Sequence, residues 1–343
     1  MDKYISNKAY KLFDLNKIFA SAAIMTTVAL SISGAPAIAY TLTNGSDDAS
    51  VTVGVDGYGS FGLSSDFDAT DAIYNPVGPI TSGQTTFESG VAIRLGNSGE
   101  RTFLTTDGIG SSGFLPNLPI TGTATTANSS FSFEGLIFNL TQTLDTLFSG
   151  STQTGSVLTQ SYTIANATNN SLNFDLTRYF DGDLLFDGSR IDDGGGRLIV
   201  NGTQLLFATD TATGSSASTT FIGITAQGGT SNGYEIDRFD ELTIQIISGA
   251  ALDNIITGDG TDADQFIDAG NGYDVAFAFN NLFSLGAGQT TSYTTQTFFG
   301  SAPPNIVNPT PESVPEPASV LGLLVVSALG ATSKLKRNQG QKA

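Results

Sequence analysis

Two clusters of acidic residues are the parts of this sequence whose residue types and spacing could do chemistry. The first lies in RYFDGDLLFDGSRIDDGGG and comprises Asp181, Asp183, Asp187, Asp192 and Asp193. The second lies in GDGTDADQFIDAGNGYD and comprises Asp259, Asp262, Asp264, Asp268 and Asp274. Carboxylate oxygens on glycine-rich turns are ligands that calcium prefers, so we predict a calcium site at one of these clusters. The alternative is that these aspartates and glycines only form turns.

Three residue types are missing, and their absence limits the available chemistry. The chain has no histidine, no cysteine and no tryptophan. This excludes Ser-His-Asp and Cys-His catalysis and histidine-ligated zinc. A glycosidase needs only two carboxylates at a suitable separation. Acids are so numerous in this sequence that the presence of a pair does not indicate such an activity. We predict no enzymatic role. Arg178, beside Tyr179 and Asp181, is expected to form an ion pair at a strand end.

The charge balance excludes one class of partner. The chain has 14 basic and 32 acidic residues, a net charge of −18. Residues 40–311 hold 28 of the acids and only 6 of the bases, all of them arginine. A surface this acidic repels phosphate backbones, so we predict no nucleic-acid partner.

The secondary-structure elements that position these residues are predicted to be strands. Apolar and polar residues alternate with period two in segments such as VAIRL and SLNFDL, and Asn201-Gly202 is a strong hairpin signal. ELTIQIIS is also assigned as a strand, while residues 144–147 and 250–254 are the best helix candidates. We predict an all-β fold, a large antiparallel β-sandwich over residues 40–300, with residues 40–130 as a candidate subdomain.

Both ends of the chain carry targeting features. Residues 1–39 have a lysine-containing start, an apolar run and small residues before a cut, as in a secretory signal peptide. Ala37 and Ala39 suit the small-residue positions, which places signal-peptidase cleavage before Tyr40. A proline-rich linker at 301–314 precedes the last segment. This segment holds a Pro-Glu-Pro motif, an apolar run from 318 to 331 and a basic cluster. Its marked residues are Val314, Pro315, Glu316, Pro317, Lys334, Lys336 and Arg337.

This C-terminal order resembles the PEP-CTERM sorting signal of Gram-negative bacteria and cyanobacteria. The resemblance covers residues 315–343. It implies an exported precursor held in the membrane by its C-terminal transmembrane helix until a membrane-embedded exosortase processes it. The alternative is a simple C-terminal anchor helix.

The body carries a second, fainter resemblance. The stretches NATNNS, RYFDGDL and SLGAGQTTSYT look like the supersandwich of galactose-mutarotase-like domains. The catalytic histidines of that family have no counterpart here, so mutarotation is not implied.

Together these features predict an exported cell-surface or extracellular-matrix protein with a structural or adhesive role in association with exopolysaccharide. The alternative is a carbohydrate-binding or carbohydrate-active protein on a supersandwich scaffold. A cleft lined by paired carboxylates and exposed aromatic rings would favour the alternative.

Overall fold

A computed structural model describes residues 39–62, 71–106, 108–110, 112–186, 188–189, 191–200, 202–210, 220–257 and 272–300. The predicted signal peptide up to residue 38, the linker and the whole sorting segment lie outside these residues. Of the predicted cleavage residues, Ala39 is described and Tyr40 is the first residue of a strand.

The described residues form three antiparallel sheets, which confirms the predicted all-β, sandwich-like fold. The four-stranded sheet comprises, in spatial order, β1 (Tyr40–Thr43), β2 (Val51–Val55), β3 (Ala72–Tyr74) and β4 (Gly83–Gln84). The five-stranded sheet comprises β15 (Thr230–Arg238), β16 (Val275–Leu285), β11 (Leu172–Gly182), β5 (Thr86–Leu95) and β6 (Thr102–Leu104). The eight-stranded sheet comprises β12 (Gly194–Val200), β13 (Thr203–Thr209), β14 (Phe221–Gln227), β17 (Thr290–Gly300), β10 (Thr152–Asn166), β9 (Leu136–Ser149), β8 (Thr126–Phe133) and β7 (Thr121–Thr123).

The main core lies between the two larger sheets. Alternation with period two directs one side chain in two inward. The eight-stranded sheet supplies residues such as Leu158 and Tyr162, and the five-stranded sheet supplies Leu176 and Phe180. Apolar residues of β1 to β3 join the same core, so the small sheet packs against the sandwich. Strands of residues 40–130 are divided among all three sheets.

The sequence predicts two hairpins, one at the turn Gly96-Asn97-Ser98-Gly99 and one at Asn201-Gly202, and the strand pairing confirms both. β5 pairs with β6, with Val91 opposite Leu104. β12 pairs with β13, with Val200 opposite Thr203. In both hairpins the turn chemistry and the flanking alternation predict the same structure.

The helix prediction was wrong. The described residues contain one α-helix, α1 (Phe239–Ile247), in the segment assigned as a strand because of its β-branched residues. Residues 144–147 belong to β9, and residues 250–254 follow the helix without continuing it. Leu242 and Ile246, four residues apart, pack on Phe103 and Tyr179 of the five-stranded sheet, and this burial overrides the weak local propensity. Among the described residues, no helix has the length and apolarity to cross a membrane.

Candidate functional site

Part of the outward face of the eight-stranded sheet, on β8, β9, β10 and β17, is an array of mostly hydroxyl and amide side chains. Register places Asn128, Thr141, Ser161 and Thr294 side by side across β8, β9, β10 and β17. The rows on either side continue the pattern. We call this the hydroxyl face, and its members are Asn128, Ser130, Ser132, Asn139, Thr141, Thr143, Thr159, Ser161, Thr163, Thr290, Ser292, Thr294 and Gln296. All of them are exposed or half-buried.

Side chains of the hydroxyl face hydrogen-bond to one another across strands. Thr141 Oγ1 donates to Asn128 Oδ1 at 2.9 Å, and Gln296 Nε2 donates to Thr159 Oγ1 at 3.4 Å. Side chains on one face repeat at about 6.7 Å along a strand and about 4.8 Å between strands. The strands therefore hold donors and acceptors in a regular, partly pre-organised lattice.

The hydroxyl face carries almost no charge. Among the outward residues of β8, β9, β10 and β17, which the structure describes completely, Asp145 is the one charged side chain. This contrasts with the net charge of −18 for the chain. Hydroxyls and amides both donate and accept hydrogen bonds, and removing them from water costs far less than removing ions. The face is thus chemically suited to a neutral, hydroxyl-rich ligand.

The structure brings the described members of the two acidic clusters to one place. Asp181, near the end of β11, pairs in register with Ala276 of β16, two residues after Asp274. Asp193 forms an isolated bridge with Tyr273. Asp183 and Asp192 complete the described set, while Asp187, Asp259, Asp262, Asp264 and Asp268 lie outside the described residues. The sequence showed two clusters because about 80 residues separate their positions along the chain.

Burial and mutual repulsion perturb these carboxyl groups. The pKa of Asp181 is raised well above its usual value, first by burial and then by the charges of Asp274, Asp183 and Glu88. The pKa of Asp193 is likewise raised, first by burial and then by Asp210. Among the described residues, no group of three or more acidic side chains is placed so that it could hold a metal ion.

Arg178 does not form the ion pair expected from the sequence. Its side chain is fully buried between the two large sheets, and no carboxylate of the described residues lies within salt-bridge distance. Its Nη1 donates to the carbonyl oxygens of Gly90 and Tyr179, and its Nη2 donates to Ser89 Oγ and Thr297 Oγ1. Because Thr297 belongs to the opposite sheet, Arg178 connects the two layers. Burial lowers the pKa of Arg178 to about 10, so it stays protonated at neutral pH.

The ion pairs of the described residues centre instead on Asp175, which the sequence did not single out. Arg94 Nε and Arg101 Nε each donate to one carboxylate oxygen of Asp175 at 2.7 Å. Asp175 and Arg101 are both about 1% exposed. One signal could have pointed to Asp175. The six cations of residues 40–311 are all arginines, which favour carboxylate partners, so an acid within a strand was a candidate for pairing with them.

A shallow groove lies at one end of the five-stranded sheet. It has a volume of about 280 Å³ and is lined by Asn97, Asn173, Phe174, Thr230, Leu282, Phe283 and Ser284. These residues include no carboxylate, so the groove offers no general acid or base.

No family model matches any part of the chain, and no curated protein matches it. A bacterial glucoamylase complexed with acarbose is similar with a TM-score of 0.40 and 10% identity, over 79% of this chain and 35% of that one. A polysaccharide lyase is similar with a TM-score of 0.36 and 8% identity, over 68% of this chain and 30% of that one. The chain thus spans about a third of the length of these two proteins.

A galactose-mutarotase-related enzyme from Lactobacillus acidophilus is similar with a TM-score of 0.34 and 7% identity, over 78% of this chain and all of that one. Similarity at this level does not assign an activity to this chain.

Proposed function

We propose that this chain is an exported cell-surface or matrix protein that binds neutral polysaccharide through its hydroxyl face, without catalysis. The observation that carries the proposal is the near-absence of charge on that face in a strongly acidic chain. Sugar hydroxyls donate and accept as serine, threonine, asparagine and glutamine side chains do. A lattice of side chains that repeats along and across the strands suits a long polymer better than a single small molecule.

Export rests on the two targeting segments of the sequence. Signal-peptidase cleavage before Tyr40 and exosortase processing after Pro315-Glu316-Pro317 would release the β-sandwich at the cell surface or outside the cell. The polymer met there is exopolysaccharide, which makes a structural or adhesive role the simplest use of the hydroxyl face.

The alternative is a carbohydrate-active enzyme, which needs two accessible carboxylates at a suitable separation. Asp181 and Glu88, two acids whose charges act on each other, are each at least 91% buried, and the groove of the five-stranded sheet has no carboxylate among its lining residues. These observations support binding rather than hydrolysis.

The proposal predicts which polysaccharides bind. The full-length protein should be retained by insoluble neutral glucan, and its dissociation constant for an anionic polymer such as polygalacturonate should be more than about tenfold higher at low salt. Because no ion pairs form at the hydroxyl face, binding to glucan should change less than about twofold between low and high salt. Affinity electrophoresis in gels containing each polymer measures both quantities.

Preference for the anionic polymer, or glucan binding that salt abolishes, would contradict this prediction. Reducing sugar released from either polymer would favour the enzymatic alternative.

A further inference from the structure

The groove of the five-stranded sheet lies on the opposite side of the sandwich from the hydroxyl face. Asn173, Leu282 and Ser284 line the groove and are exposed. Phe174 and Phe283, which alternate with them along β11 and β16, belong to the core between the two large sheets. The three exposed side chains therefore project outward from the five-stranded sheet. The protein thus has uncharged polar side chains on both of its outward faces.

The groove combines apolar and polar side chains in fixed register. Leu282 of β16 is 39% exposed and lies opposite Thr230 of β15, while Ser284 of β16 lies opposite Asn173 of β11. Asn97 completes the polar lining. Within the described part of the chain, none of these four polar side chains hydrogen-bonds to another residue. Their amide and hydroxyl groups are therefore available to a ligand.

The turn that carries Asn97 is held by backbone hydrogen bonds at both of its ends. At the first end, the Gly96 N–H donates to the Asn173 carbonyl at 2.8 Å. At the second end, the Arg101 N–H donates to the Ile247 carbonyl of α1 at 3.1 Å. The other lining residues are fixed by the strands that contain them. Because the lining is ordered before a ligand arrives, the entropic cost of binding is reduced.

The charge and the size of the groove indicate the class of ligand. No lining residue is charged, so the groove offers no ion pair to an anionic or cationic ligand. Its volume of about 280 Å³ is at the lower limit of small-molecule pockets, which suits about one or two sugar rings. A neutral sugar presents hydroxyl groups around its ring and C–H groups on its faces. The hydroxyls match the amides and hydroxyls of the lining, and the C–H groups match the exposed leucine.

We propose that the groove of the five-stranded sheet binds a terminal or branching unit of a neutral glycan, as a second site in addition to the hydroxyl face. The choice of ligand class rests on the proposed function of that face. Because the two sites lie on opposite sides of one β-sandwich, one molecule can hold two glycan chains at once. Such bivalent binding joins chains in a matrix without any further contact between protein molecules.

Binding of soluble neutral trisaccharides of glucose, galactose and mannose to the full-length protein, each measured by saturation-transfer NMR, tests this proposal. At least one of them should bind. Ser284→Glu and Thr230→Glu each place a carboxylate at an exposed position in the groove. Each should raise the dissociation constant by about tenfold or more, because a bound sugar would bury an unpaired charge. Ser161→Glu, the matched change on the hydroxyl face, should keep the trisaccharide affinity within about twofold.

Retention of the same proteins on insoluble neutral glucan separates this proposal from the proposed function. The groove site would be overturned by wild-type protein that is retained on glucan but binds none of the trisaccharides at about 10 mM. Unchanged trisaccharide affinity in both groove variants would also overturn it, as would an equal loss of affinity in Ser161→Glu. Trisaccharide binding that only the groove variants lose would support the groove site. If glucan retention were then equal in Ser161→Glu and wild type, the hydroxyl face alone would be contradicted.

Discussion

Replacing Asp175 with asparagine is expected to lower the free energy of unfolding by about 3–5 kcal/mol, because it leaves the buried Arg101 and the partly buried Arg94 without a counter-charge. Asp175 accepts from both Arg94 and Arg101, and from Asn280 Nδ2 at 3.2 Å. An asparagine keeps the shape but places an NH2 group against one of the arginine donors. A buried charge that loses its partner keeps its desolvation cost and loses its attraction.

The loss should extend to α1. Arg94 Nη1 donates to the Gly249 carbonyl at 2.7 Å, and Arg101 Nη1 donates to the Ala250 carbonyl at 2.8 Å. These carbonyls follow the C-terminal end of the helix, where cations are favourable. With Asp175 gone, the arginines lose the group that orients them towards these carbonyls.

Urea unfolding monitored by tyrosine fluorescence and by circular dichroism measures the effect. Asp145→Asn, at an exposed position of β9, is the control and should change the stability by less than about 0.5 kcal/mol. A cost below about 1 kcal/mol for Asp175→Asn would show that the arginines find other partners.

Arg178→Ala is expected to destabilise the protein by about 3–5 kcal/mol, through a cavity between the sheets and through acceptors left without donors. The side chain is 0% exposed, and its guanidinium carbon lies 5.6 Å from the Phe61 ring centroid and 5.8 Å from that of Phe180. Removing it empties the space beside these two rings and removes the donor that pairs with the Gly90 and Tyr179 carbonyls.

Arg178→Met separates packing from charge. Methionine fills most of the volume and abolishes the desolvation cost of a buried cation, so we expect a loss of only about 1–2 kcal/mol. Chemical denaturation of both variants checks the order. Arg178→Ala within about 1 kcal/mol of the wild type would contradict the role of Arg178 in joining the sheets.

The strands and hairpins could be predicted from the sequence because their signals are local. Alternation around Val91 and Phe174 and the Asn201-Gly202 turn each specify their own segment. Helix α1 was missed because Thr243, Ile244 and Ile246 favour strands locally, and only its packing on the five-stranded sheet makes it helical.

Burial of Asp175 was missed for the same reason. In β11 it alternates with Phe174 and Leu176, which indicates the solvent side of a half-buried strand. That side is covered by α1, so the polar face of this strand lies inside the protein.

The candidate sites depend on strand order, which a single sequence does not encode locally. The outward serines and threonines of β10 and β17 could be predicted from their alternation. The pairing of these two strands, which are about 130 residues apart in the sequence, could not. The two acidic clusters were recognised, yet their meeting requires β16 to lie beside β11. Local pattern thus predicts which side chains share a face, and topology decides which faces combine.

The most direct measurement of the central claim places a charge in the middle of the hydroxyl face. Ser161 lies between Thr141 and Thr294 and is exposed, so Ser161→Glu should leave the melting temperature unchanged within about 2 °C. Its dissociation constant for neutral glucan should rise by about tenfold or more, because binding would bury an unpaired carboxylate. Ser161→Thr should keep the wild-type affinity. Thr152→Glu, an exposed position on the same strand about 30 Å away, should also bind normally. Equal glucan binding by Ser161→Glu and Thr152→Glu would contradict the assignment of this face.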